Sequence, residues 1–222
     1  LIGNGGGLVY APLGPTHLAI EDLAILRALP NMTILAPADA DEMRRLMPQT
    51  VDHPGPIYIR LAKGGDPVVT DPKAPCRIGE AVPMREGSDA LVITTGVTLK
   101  LALDAAASLS AAGVEAGVLH VPTVKPLDAA AILARAAGAG AVVTVEEHSV
   151  IGGLGSAVAE VLAEAELRPI PRLKRLGVPD VFPHTYGSQA DLMSRYGITA
   201  AQIEATITEL LNTATHHEVS RE

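Results

Sequence analysis

Short apolar runs of strand length alternate along this chain with longer stretches whose apolar positions fall at helical spacing. Leu1-Ile2 reads as the end of a strand, and Gly3 to Thr16 as a long glycine- and proline-rich loop, a feature often functional in compact domains. Ile20, Leu23, Ala24 and Arg27-Ala28 predict a helix with Glu21 and Asp22 placing acid in its first turn, stopped by Pro30-Asn31. Thr33 to Leu35 is a buried-strand candidate. Asp39 is predicted to cap a helix from Ala40 to Val51 whose apolar stripe is Met43, Leu46, Met47 and Val51. His53-Pro54-Gly55 ends that helix, and Pro56 to Leu61 forms the next strand. Strands alternating with helices predict a parallel sheet of the α/β class.

From Lys63 to Ser88 the pattern changes to scattered charges with Gly64-Gly65 and four prolines, which reads as an interdomain linker. A second alternation follows. Ala90 to Thr95, Val114 to Val121 and Ala141 to Val145 are strands; Val97 to Ala112, Leu127 to Ala137 and Ser156 to Ala165 are helices, with Gly113 stopping the first. The unbroken apolar character of Ala141 to Val145 suits a strand covered on both faces. Glu146 to Gly155 reads as a glycine-rich turn, Arg172 to Val178 as one more strand, Thr199 to Leu211 as a terminal helix and residues 215–222 as a frayed tail. The expected fold is α/β with two parallel-sheet units.

Composition narrows the function classes. Of the 222 residues 48% are hydrophobic, enough for a packed core, while aromatics are only 2%, which argues against stacking platforms for single strands. A net charge of -8 would repel phosphate backbones, so nucleic acid is not an expected partner. Every apolar stretch is interrupted before membrane-spanning length. The single Cys76 builds neither a disulfide nor a cysteine zinc site and fits a reducing, cytoplasmic setting. The opening at Leu1, without an initiating Met, looks cut from something longer.

Candidate chemistry gathers at Gly14-Pro15-Thr16-His17, followed by Ile20-Glu21-Asp22. Thr and His at the start of a helix would turn free N–H groups and an imidazole toward one space, suited to an anionic or polarised substrate; a plain helix start capped by Thr16 is the alternative. Asn4-Gly5-Gly6-Gly7 lacks both the dinucleotide fingerprint and the P-loop lysine and reads as loop chemistry. Arg60 ends an apolar strand, where it either grips a phosphate bidentately or pairs with a carboxylate. Glu146-Glu147-His148 before Gly152-Gly153-Leu154-Gly155 is an unspecific ligand set and more simply a tight turn. His120 and His184 read as structural, His216-His217 as tail. There is no nucleophile elbow, HExxH or CxxC.

The run GPTHLAIEDLAILRALPNMTILAPADADEMRRLM resembles the second half of the pyrimidine-binding domain of transketolases and deoxyxylulose-phosphate synthases. VPTVKPLD, VVTVEEHSVIGGLGSAVAEVL and GVPDVFPHTYGSQADLMSRYGIT are similar, in the same order, to the C-terminal transketolase domain. The resemblance implies a partial pyrimidine-binding domain over residues 1–70, a linker over 71–88 and a C-terminal domain over 89–222. It implies thiamine-diphosphate-dependent transfer of a two-carbon ketol unit between sugar phosphates, with deoxyxylulose-phosphate synthase or the beta subunit of a 2-oxoacid dehydrogenase as nearest rivals, and a non-catalytic assembly module as the rival of another class. His17 would be the catalytic residue facing cofactor and substrate hydroxyls beside Gly14, and Thr16 and Arg60 would bind substrate. Family members often carry an acidic residue four positions before that histidine, where this chain has Leu13. The family's glutamate for the cofactor's aminopyrimidine ring, the aromatic pocket around that ring and the domain that binds diphosphate through Mg²⁺ lie upstream of the matching region. The chain is therefore expected to need an N-terminal section or subunit, in a homo- or hetero-oligomer.

Overall fold

The computed structural model describes the backbone from Leu1 to Val219 and the side-chain surroundings to Thr213. The first unit is built on β1 (Ile2–Asn4), β2 (Thr33–Leu35) and β3 (Ile57–Leu61), with β3 in the middle and both neighbours parallel to it. Two short helices, α1 (Asp22–Arg27) and α2 (Ala40–Leu46), make the crossovers. Asp39 caps α2 as its sequence position predicts, its carboxylate accepting the Glu42 N–H at 2.8 Å.

α2 is shorter than the apolar stripe suggests. Pro48 has no N–H to offer the Arg44 carbonyl, so the chain continues from Met47 to Thr50 as a 3₁₀ turn. Only Leu46 of the outer stripe is sealed in the core; Met47 and Val51 are exposed.

The second unit is a five-stranded sheet in the order β4 (Val82–Arg85), β6 (Ala116–His120), β5 (Ala90–Thr94), β8 (Ala141–Ser149), β9 (Arg172–Val178), parallel except for β4. β5 and β8 are covered on both faces. Val92, Val143 and Val145 point into a core with α3 (Leu99–Ala111) and α7 (Ala200–Val219), while Leu91, Ile93 and Val142 point into a second core with α4 (Ala129–Ala136) and α5 (Leu154–Glu164).

Four features depart from the sequence reading. The stretch read as a linker contributes the edge strand β4, whose Pro83 is tolerated because an edge needs fewer ladder donors. β8 runs on through Glu146, Glu147 and His148, so the supposed turn begins only after Ser149. α6 (Gln189–Arg195) was not foreseen, although Ser188 and Asp191 form a capping box that marks its start. Of the supposed tail, residues 215–219 continue α7, and residues 220–222 lie outside the described ones.

The two units interlock. β7 (Thr123–Lys125) leaves the second unit to pair antiparallel with β2, and Val124 joins the first unit's core of Leu23, Met32 and Ile34. In the other direction Leu8, Ala11, Ile20 and Ala38 are buried in the core built by α3, α6 and α7. Among the described residues no helix is long and apolar enough to cross a membrane.

Candidate active site

The loop after β1 is ordered rather than slack. Gly5 and Gly6 N–H both donate to the Leu61 carbonyl, at 2.9 and 2.8 Å, and Gly7 and Ala19 exchange two backbone hydrogen bonds of 2.8 and 3.2 Å. The excursion between Gly7 and Ala19 is thus closed at its base. Leu8 and Ala11 anchor it in the core, and its tip is two 3₁₀ turns, Ala11–Leu13 and Pro15–His17.

Gly14 joins those turns at φ 81°, ψ -174°, a region essentially reserved for glycine, and a Cβ there would lie 2.7 Å from the Tyr186 ring. The Gly14 carbonyl accepts the His17 N–H at 3.1 Å, so that N–H is spent on the turn, and α1 starts only at Asp22. Thr16 makes no cap. Its hydroxyl instead lies 2.9 Å from His17 Nδ1. Both side chains are exposed, and Nε2 is the ring nitrogen without a hydrogen bond.

Arg60 is placed differently from His17. It is only 8% exposed, its Nε is 3.0 Å from Asp22 Oδ2, and its Nη2 donates to the Ala19 and Glu147 carbonyls at 3.0 and 2.9 Å. Asp22 Oδ2 also accepts the Tyr58 hydroxyl at 2.7 Å. Burial first, then Asp22, raises the Tyr58 phenol well above its usual range, so it stays a donor. Of the two roles open to Arg60, the structure shows the carboxylate pair through Nε, with Nη2 spent on two backbone carbonyls.

Glu146, Glu147 and His148 are all buried. Glu146 accepts the Leu154 and Gly155 N–H groups at 2.7 and 2.8 Å, holding the start of α5; burial pushes its carboxyl up to about 7 against those two donors. His148 Nε2 accepts the Ala24 N–H, which leaves the ring proton on Nδ1 to be donated to the Ser149 carbonyl at 2.7 Å. Burial, then Arg60, pushes this imidazole down to about 4. Glu147 Oε1 accepts the Leu8 N–H at 2.7 Å and Gln189 Nε2 at 2.9 Å. The sequence reading missed Glu147, Tyr186 and Gln189 as neighbours of the loop. For Glu147 a signal existed: two carboxylates directly follow an all-apolar strand.

His120 is sealed against Glu42, and His184 is exposed in the irregular segment before α6. Burial and then Glu42 push the Cys76 thiol up to about 12, so it is no thiolate nucleophile.

An open cleft of about 300 Å³ lies beyond the C-terminal ends of β1 and β3, lined by Asn4, Asp39, Met43, Leu61, Lys63 and Asp66 among others. Ligands of parallel sheets gather at this end. Asp39 is not free to bind there. Burial would raise its carboxyl, but the Glu42, Thr70 and Val69 N–H groups and the Thr70 hydroxyl outweigh burial and hold it low. Among the described residues no three His, Cys, Asp or Glu side chains are grouped to hold a metal ion. The described residues thus group no side chains that would hold a metal ion, while the exposed His17 ring keeps one nitrogen, Nε2, without a hydrogen bond.

Comparison with known proteins agrees with this architecture. Residues 4–65 match the transketolase pyrimidine binding domain, and residues 79–203 match the transketolase C-terminal domain. The chain is 41% identical over 203 residues to a 6-deoxy-6-sulfo-D-fructose transketolase subunit of Clostridium sp., covering 91% of this chain and 62% of that protein. It is 41% identical over 202 residues to 1-deoxy-D-xylulose-5-phosphate synthase 1 of Geobacter sulfurreducens, covering 90% of this chain and 31% of that enzyme. A solved split-gene transketolase, an inactive beta4 tetramer, superposes with a TM-score of 0.85 at 40% identity, over 95% of this chain and 66% of that one. The chain spans about three fifths of the length of the first of these relatives and a third of the second. The chain belongs to the transketolase family, carrying a pyrimidine-binding segment joined to the family's C-terminal domain.

Proposed function

We propose that this chain is the C-terminal part of a cytoplasmic, thiamine-diphosphate-dependent transketolase that moves a two-carbon ketol unit between sugar phosphates, acting with an N-terminal section or subunit. The carrying observation is His17, an exposed imidazole on a turn whose base is locked into both units. In the tautomer whose Nδ1 accepts from the Thr16 hydroxyl, Nε2 carries the ring proton and can donate it to a substrate oxygen as negative charge builds there. When bound, thiamine diphosphate supplies the electron sink for breaking the C–C bond. Gly14 lets the turn close beneath His17, and Arg60 holds Asp22 and the loop base, a placement that supports a shaping role more than a grip on phosphate. The diphosphate and Mg²⁺ fall to the N-terminal section, and the similarity to a split-gene, inactive beta4 assembly supports an oligomer that needs that partner.

In the completed enzyme, His17→Ala should lower kcat/KM by about 10²–10³-fold, the loss typical of one oxyanion donor. Unchanged activity would overturn the reading and favour an assembly module. The Geobacter similarity supports a second reading as a deoxyxylulose-phosphate synthase, and Leu13, 52% exposed beside Gly14, offers no acid to recognise a ketose hydroxyl. Turnover of pyruvate in preference to ketose phosphates would select that alternative.

A further inference from the structure

The loop that presents His17 is held in part from the C-terminal unit, where one carboxylate takes its buried Leu8 amide. Glu147, 2% exposed on the extension of β8, directs Oε1 at the buried Leu8 N–H and receives Gln189 of α6 on the same oxygen. Gly7 lies flat against this carboxyl at φ 80°, where an added Cβ would come within 2.5 Å of Glu147 Cδ. The backbone carbonyl of Glu147 takes Arg60 Nη2, which also binds the Ala19 carbonyl, and Ala19 pairs with Gly7. The side chain therefore fixes the start of the excursion, and the backbone, through Arg60, fixes its end. At the tip, Tyr186, just before α6, covers Gly14, whose carbonyl closes the turn ending at His17.

We infer that Glu147 is a positioning residue for His17: the C-terminal unit, through the Glu147–Leu8 bond and its Gln189 brace, sets the loop conformation that aims the imidazole. This rests on the reading of His17 as the catalytic donor, whereas the ordering of the loop by Glu147 does not. The physical basis is the cost of freeing a buried N–H, since the Leu8 amide has no other partner and is out of reach of water. Losing its acceptor favours loop conformations in which the amide reaches solvent, and a shift of about 1 Å at a catalytic group can cost on the order of 10²-fold in rate. Oε2 of Glu147 has no hydrogen-bond partner, so an amide nitrogen in its place loses no bond. Glu147→Gln thus keeps the acceptor for Leu8.

The test uses the complete protein, or the complex that carries this chain. Amide hydrogen exchange is followed at Gly7 and Leu8 against Val142 and Val143 of β8, alongside kcat and donor KM. Glu147→Ala should speed exchange at Leu8 by about 10-fold or more with the β8 amides little changed. It should lower kcat by about 10-fold or more with KM within about 3-fold, the pattern of an interaction made in the transition state. Glu147→Gln should restore both readouts. Gln189→Ala, on a half-buried side chain, should move them in the same direction by less, and it serves if Glu147→Ala does not fold. Unchanged Leu8 exchange in both alanine variants overturns the inference, as does faster exchange with unaltered kcat. A His17→Ala control keeps the readings apart. If His17→Ala abolishes turnover and Glu147→Ala does not, positioning fails alone; if neither matters, the catalytic reading of His17 fails with it.

Discussion

Glu42 Oε2 and His120 Nε2 stand 2.8 Å apart with both side chains sealed from solvent, joining the first unit's α2 to the end of β6 in the second unit. The same Glu42 oxygen accepts the Ala38 N–H at 2.7 Å, so the pair also pins the chain leading into α2. Glu42→Ala would strand the His120 ring and the Ala38 amide together. The expected loss is about 3–5 kcal/mol, as for other broken buried pairs, read from the denaturant midpoint at constant m. A loss under about 1 kcal/mol would show that the contact is dispensable.

The Arg60–Asp22 pair gives a second stability test that also separates the two roles of Arg60. Arg60→Ala should destabilise the chain by about 3 kcal/mol or more, because Asp22 and two carbonyls lose their donor together. Arg60→Lys should recover little of this, since an ammonium cannot span the same fork. A folded, equally stable Arg60→Ala protein whose donor KM alone rises would instead support a phosphate grip.

Gly14→Ala combines a forbidden backbone angle with the 2.7 Å approach to Tyr186. It should cost about 1–3 kcal/mol and reduce turnover of the completed enzyme together with loop order. Calorimetry and steady-state kinetics on one preparation would check both, and a neutral substitution would contradict the described turn.

His148 makes stability depend on acid. Its imidazole is held near 4 in the folded chain against 6.5 when free, so the unfolded state binds the proton first. The stabilising contribution is present above pH 6.5 and is lost as pH falls toward 4, on the order of 3 kcal/mol. Glu146 acts with the opposite sign: its raised carboxyl favours the fold fully below 4.5, and that contribution is lost as pH rises through about 7. His148→Gln should therefore flatten the acid limb of the stability profile and expose the decline due to Glu146. An unchanged acid limb would mean that the ring is charged in the fold.

Among the described residues the outer edge of β1 has no strand partner, and Leu1 and Ile2 are exposed by 79% and 60%. An open apolar edge recruits other chains, so residues 1–222 alone should self-associate. Sedimentation showing a monodisperse, cooperatively unfolding monomer would oppose this.

The strand–helix rhythm and the apolar runs of β5 and β8 were legible because each is a local pattern whose period survives without its neighbours. So was the Asp39 cap, which depends on a residue three positions away; the helix start expected at Thr16-His17 was not, because the chain makes a 3₁₀ turn there and α1 begins only at Asp22. α6 could have been found from Ser188 and Asp191, whereas β7, at three residues, is too short to carry a period. Glu146, Glu147 and His148 looked like a polar turn because sequence shows charge and not burial; their partners Leu154, Leu8 and Ala24 are supplied by other elements.

By itself the sequence determined the α/β class, the order of the elements apart from β4, β7 and α6, and the residues that mark the family. Only the tertiary structure decided that Arg60 is spent on Asp22, that the glycine loop is pinned by Glu147 and that β7 and Leu8 lock the two units together. Those outcomes depend on which groups meet once water is excluded, and hydrogen bonds and ion pairs between distant residues have no signature along the chain.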